Sequence, residues 1–153
     1  MPAHAALTLP QPTRPVNDAS VMIQAEPADV FGFLADVENL PKWAPDFCER
    51  IMIGRDGWRA FTELGELSVE LTAAAGFVYL EMGFVGTTRG LFPLWITPRP
   101  DGGTRVTLAC FQAEGLRDEA HERIYQALRE ALPGVKAARE ARAFTSEPGA
   151  LAV

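Results

Sequence analysis

From Phe47 to Gln112 the chain keeps a period of two. In "GELSVELT" Leu67, Val69 and Leu71 alternate with Glu66, Ser68, Glu70 and Thr72, as in a strand with one face in a core and the other in water. On its N-terminal side "FCERIMIG" and "WRAFTE" are separated by a turn at Arg55-Asp56-Gly57. Beyond it, Gly76, the Val85-Gly86-Thr87 segment and "PRPDGG" mark off three more strands, at 77–84, 88–97 and 104–112, because glycine and proline are the residues that turns require. Strands joined by such short turns pair as antiparallel neighbours, since a parallel partner needs a crossover of a dozen or more residues. The result is a six-stranded meander whose apolar face something else must cover.

The flanking segments supply the cover. "SVMIQA", at 20–25, reads as a further strand. Pro27 then stands where a first helical turn accepts proline, and Asp29 is placed to favour the helix dipole. Val30, Phe33, Leu34 and Val37 form one apolar stripe, while Gly32 costs about 1 kcal/mol against Ala and leaves room for another backbone. Asn39 is positioned to cap a one-turn helix through Trp43, which Pro45 stops. After the strands, residues 114–141 form a long amphipathic helix with the stripe Leu116, Ala120, Ile124, Ala127, Leu128, Ala131 and Val135. Pro133 removes one backbone donor in its middle, and a kink is expected there.

Composition narrows the function. A chain of 153 residues suits one domain that hides about 70% of its unfolded surface. Its net charge is −6, and no basic run is denser than "KAAREAR", so nucleic acid is not an expected partner. Cys48 and Cys110 lie far apart, and His4 and His121 are the only histidines; reduced thiols, no metal site and no cofactor are expected. There is no GxSxG, and "VGTTRG" lacks the lysine and glycine spacing of a phosphate loop. No window approaches the roughly 20 apolar residues of a membrane span. The expectation is a soluble, cytoplasmic protein with a flexible N-terminal arm (1–18), a domain (19–142) and a C-terminal tail (143–153).

The order of strand, helix, short helix, six strands and long helix resembles the helix-grip fold of the START-like (SRPBCC) superfamily, in its polyketide cyclase/dehydrase-like branch. The resemblance is carried by "SVMIQAEPADVFGFLADVENLPKWAP", "LWITPRPDGGTRVTL" and the final "LPGVKAARE". It implies an α+β fold in which a curved antiparallel sheet of about seven strands wraps a long C-terminal helix, with two short helices after the first strand. It also implies a tunnel between sheet and helix, with the segment "ENLPKWAP" near one mouth. Trp43 is then either a lid or wall of that tunnel or a plug in the end of the core, its indole N–H bonded to a carbonyl.

The strands at 77–84 and 88–97 are apolar on both faces, and one residue of slip exchanges the faces. The register favoured by Leu67, Val69 and Leu71 turns Val78, Leu80, Met82, Phe84, Phe92, Leu94 and Ile96 inward. Tyr79 and Glu81 then point out; the other register makes them an acid and a phenol inside an apolar cavity. Arg117, His121 and Tyr125 stand at i, i+4 spacing beside the helix stripe, and the favoured reading is a solvated flank.

These residues imply binding of a small, largely apolar ligand, aromatic or polyketide-like, lined by Phe33, Trp43, Phe47, Leu67, Val69, Leu80, Met82, Phe92, Leu94, Leu108, Ile124 and Leu128. One alternative is a cyclase or dehydratase acting on a polyketide-like substrate, with His121, Tyr125, Tyr79 and Glu81 as weak candidates for general acid or base. The other is a protein-interaction module. Its surface is the outer row of Phe77, Tyr79, Leu91 and Trp95, a patch of the kind that usually finds a partner. A homodimer covers it, or else the chain's own Leu7, Leu9 and Val16. Trp95→Glu is expected to convert a micromolar dimer to a monomer in sedimentation. A monomeric parent that loses stability on deletion of residues 1 to 18 indicates the arm instead.

Overall fold

The computed structural model describes residues 17–111 and 119–145. The expected arm with Leu7, Leu9 and Val16, the tail, and Leu116 and Arg117 lie outside the described residues. Seven strands form one antiparallel sheet: β1 (Asn17–Ile23), β2 (Cys48–Gly54), β3 (Gly57–Thr62), β4 (Gly65–Ala74), β5 (Phe77–Phe84), β6 (Gly90–Pro98) and β7 (Thr104–Cys110). The spatial order is β1-β7-β6-β5-β4-β3-β2. The strands next to each other in sequence from β2 to β7 are therefore neighbours in space, and β1 closes the far edge. Between β1 and β2 the chain crosses from one edge to the other through α1 (Pro27–Leu34), a 3₁₀ turn (Val37–Asn39) and α2 (Leu40–Trp43). The long helix α3 (Glu119–Thr145) packs on β1, β5, β7 and α2. This is the α+β helix-grip arrangement.

Local chemistry sets the boundaries. Pro27 opens α1 and Val30, Phe33 and Leu34 are its buried residues. Asn39 does not cap α2 with its side chain; its amide donates to the Phe33 carbonyl at 2.9 Å, and Asp36 caps the 3₁₀ turn by accepting the Glu38 N–H at 3.0 Å. Gly32 admits no backbone, since a Cβ there meets nothing within 4 Å. β1 begins and ends earlier than its sequence suggests, because the Gln24 N–H is taken by Glu140 on α3 at 2.7 Å and the ladder with β7 ends at Ile23 and Thr104. β6 begins at Gly90 and not at residue 88, because the Thr88 carbonyl turns away to His121.

Register places the faces. Leu67, Val69 and Leu71 lie opposite Phe84, Met82 and Leu80, and Leu94 lies between Val78 and Leu108. Val78, Leu80, Met82, Phe92, Leu94 and Ile96 are buried. Each such apolar side chain contributes about 1.5–3 kcal/mol by leaving water. Tyr79 and Glu81 stand on the opposite face beside Thr72 and Glu70, and Arg89 pairs with Glu70 at 2.9 Å and Glu81 at 3.6 Å.

Helix α3 runs through Pro133, whose ring is exposed, and Arg139 ties its far end to α1. The Arg139 guanidinium lies 3.9 Å from the Phe33 ring centroid and 3.1 Å from Asp29 Oδ1. Two glycines let the helix sit close. At Gly134 a Cβ would overlap the Trp43 carbonyl oxygen, and at Gly90 it would come within 2.7 Å of the His121 ring. Gly90→Ala is therefore expected to cost about 1–3 kcal/mol in denaturant unfolding. Adding His121→Ala should recover part of that loss, a coupling of about 1 kcal/mol or more in a double-mutant cycle.

Candidate ligand-binding site

The segment after α2 builds a rigid corner. The Phe47 and Cys48 N–H groups both donate to the Ala44 carbonyl, at 3.1 and 2.8 Å, and the Phe47 carbonyl accepts the Glu63 N–H at 2.9 Å. Pro45 and Asp46 project into solvent while Trp43 and Phe47 turn inward, each 3% exposed. Cys48 then donates its thiol proton to the Arg50 carbonyl at 3.3 Å, where the β2–β3 register shifts.

Between this corner and α3 lies a cavity of about 330 Å³, lined by Trp43, Phe47, Asp46, Glu63 and the helix residues Ala127, Glu130, Ala131 and Gly134 among others. The volume falls within the range of small-molecule pockets. Its floor is aromatic and its helix wall is small, and three exposed carboxylates stand at its rim. It can hold an apolar body and hydrogen-bond a donor at the edge.

All twelve residues expected to line a tunnel belong to one buried cluster. Trp43 and Phe47 border the 330 Å³ cavity, and Phe33 borders a second depression with Asp29, Asn39, Lys42 and Arg139. Leu67, Val69, Leu80, Met82, Phe92, Leu94, Leu108, Ile124 and Leu128 pack side by side in the core between them. Glu63, Ala127, Glu130, Ala131 and Gly134 went unnamed as site residues from sequence. The available signal was Ala127, Ala131 and Gly134 on one flank of α3, a row of small residues that reads equally well as helix packing.

The four titratable candidates do not meet. Tyr79 and Glu81 are on the convex face, and His121 and Tyr125 are on the helix against the concave one, so the thickness of the sheet separates the pairs. The solvated flank expected for His121 and Tyr125 does not form. His121 is 8% exposed, with Nε2 bonded to the Thr88 carbonyl at 3.0 Å and its ring edge-on to Phe92; Tyr125 is 1% exposed. The alternation of the stripe concealed this, because the sheet curls far enough to cover the helix edge as well. Burial raises the Tyr125 phenol, partly offset by Arg129, and it raises Tyr79 as well, with Glu81 adding to it. On the convex face Phe77 stacks on Tyr79 at 5.7 Å and packs on Trp95 at 5.8 Å, and Trp95 reaches Phe111 at 6.2 Å.

Comparison with solved structures identifies the architecture. The chain aligns with the Zhui aromatase/cyclase from Streptomyces sp. R1128 (TM-score 0.62, 17% identity, 83% of this chain and 94% of that one). It also aligns with a START superfamily protein from Mycobacterium smegmatis (0.52, 18%, 79% and 96%) and with Ara h 8.0201 (0.54, 20%, 82% and 97%). The chain has the START-like helix-grip fold. No family model and no curated protein matches it. Identities this low speak for the START-like fold alone. Among the described residues no helix is long and apolar enough to cross a membrane.

Burial pushes the Cys48 thiol up to about 11. The folded state therefore keeps a proton that the unfolded chain releases, and stability present below about pH 9 should fall as pH rises toward 11, by about 2 kcal/mol. Unfolding free energies at pH 8 and pH 11 should differ less in Cys48→Ala than in the parent. An aromatic disulfide reagent at pH 8 should label Cys48 only after denaturation.

Proposed function

We propose that the protein binds a small, largely apolar ligand, aromatic or polyketide-like, between the sheet and α3, with the cavity at Trp43 as its point of entry. The observation that carries this reading is that cavity's position. It opens where the short-helix corner and the long helix meet, with Trp43 and Phe47 at the edge of the buried cluster and Ala127, Ala131 and Gly134 providing a low wall. The likeness to a START superfamily protein and to an aromatase/cyclase supports the same class of function. Burial at about 25 cal/mol per Å² of apolar surface supplies affinity with little directionality. The rim carboxylates of Asp46, Glu63 and Glu130 favour a ligand with a hydroxyl or other donor at one end. The two buried thiols, neither of which forms a disulfide among the described residues, fit a cytoplasmic location.

Catalysis is the less favoured reading, because Tyr79 and Glu81 lie across the sheet from the cavity and neither His121 nor Tyr125 is among its described lining residues, while a general acid or base must reach the substrate. Self-association through Phe77, Tyr79 and Trp95 is compatible with ligand binding, since it uses the other face of the sheet.

A neutral naphthalene fluorophore should bind the full chain with one-to-one stoichiometry and change its tryptophan emission. Trp43→Phe should remove most of that change. Ala131→Leu, which fills the cavity, should weaken binding at least about 10-fold with the melting temperature held. Unchanged affinity in Ala131→Leu, with the emission change carried by Trp58 or Trp95, overturns the assignment of this cavity.

A further inference from the structure

Gly32 lies in the middle of α1, where glycine is the least favourable residue after proline. The other close glycines of this chain explain themselves: a Cβ at Gly83, Gly90 or Gly134 would strike the Thr88–Arg89 backbone, the His121 ring or the Trp43 carbonyl. At Gly32 a Cβ meets nothing within 4 Å. What stands in front of it is a depression of about 440 Å³ lined by Gly32, Ala35, Asp36, Val37, Trp58 and Leu71. Its apolar wall belongs to the inner face of the sheet, since Trp58 lies opposite Val69 and Leu71 opposite Leu80. This is the edge of that face away from β1 and β7, where α3 packs. Trp58 and Leu71 are only half-buried, and Ile53, the partner of Trp58 on β2, is 61% exposed. Core-type side chains thus face solvent across a gap that a missing side chain on α1 keeps open.

The chemistry of the walls selects the occupant. The indole of Trp58 and the aliphatic Leu71 and Val37 suit a flat ring, and the face of an indole also attracts a cation. Among the described lining residues Asp36 is the one that carries a charge. Its Oδ1 accepts the Glu38 N–H, and a carboxylate offers about four acceptor positions, which leaves it able to receive a donor from the groove. We propose that this groove is a second small-molecule site, taking a flat aromatic compound that carries a protonated amine, its ring against Trp58 and its ammonium toward Asp36. The inference is independent of the cavity at Trp43, which lies against α3 and shares no described lining residue with it.

The test uses the full chain and three probes on one ring system: 1-naphthylmethylamine, naphthalene-1-methanol and 1-naphthoate. Calorimetry and amide-resolved NMR should find the amine at least about 10-fold tighter than the alcohol, with the naphthoate weakest. Shifts should centre on Gly32, Val37 and the Trp58 indole N–H. Gly32→Leu should lower amine affinity at least about 10-fold while the melting temperature holds or rises, because leucine is the better helix former, its Cβ meets nothing within 4 Å and the rest of its side chain enters the groove. Asp36→Asn retains an N-cap residue and should bring the amine down to the affinity of the alcohol. Binding unaffected by Gly32→Leu, shifts centred on Trp43, Ala131 and Gly134, or no saturable binding of any probe at millimolar concentration would each overturn the proposal.

Discussion

A curled antiparallel sheet has one apolar concave face, and helices must cover it, here chiefly one long helix. That constraint organises this molecule. The face built by Leu67, Val69, Leu80, Met82, Phe92, Leu94 and Leu108 meets Ile124, Leu128 and Val135 of α3 in one cluster. The convex face is free to carry the Arg89–Glu70 pair and the row from Phe77 to Phe111. The crossing of α1 and α2 from edge to edge follows from the same need, because β1 and β2 sit at opposite ends of the sheet.

The helix is seated near its start and near its middle by the absence of a side chain. Gly134 brings its backbone against the Trp43 carbonyl, and Gly90 clears the sheet beneath the His121 ring. Each contact joins α3 to an element distant in sequence: the end of α2 near the middle of the helix, the start of β6 near its first turn. A buried histidine bonded to a turn carbonyl is an ordinary structural solution, and its burial with Tyr125 argues for positioning of the helix before it argues for chemistry.

The same geometry explains where the molecule is open. α3 covers the β1, β7 and β5 side of the concave face, so the strands at the far edge keep Trp58 and Leu71 half-buried and leave the groove in front of Gly32. On the other flank of α3 the small residues Ala127 and Ala131 leave space before Trp43 and Phe47. Both openings come from side chains that are too small to fill the gap between well-packed neighbours. Close packing elsewhere makes such gaps conspicuous.

Periodicity together with the glycine and proline turn signals determined the meander, and periodicity alone the inward register of Leu67, Val69 and Leu71, the stripe on α1 and the long helix, because those features are set by whether a residue is apolar and by how far it stands from the next one. Tyr79 and Glu81 turned outward for the same reason. Tertiary structure alone decided what lies across a gap. Nothing local marks Gly134 as the seat for Trp43 or His121 as buried, since each depends on an element brought near by the curl of the sheet. The residues of the candidate cavity were legible only in part, Trp43 from the resemblance carried by "ENLPKWAP" and Phe47 as an apolar residue beside it, while Ala127 and Ala131 were indistinguishable in sequence from packing residues. A small side chain reads the same whether it touches a neighbour or leaves a space, and only the distance across that space tells the two apart.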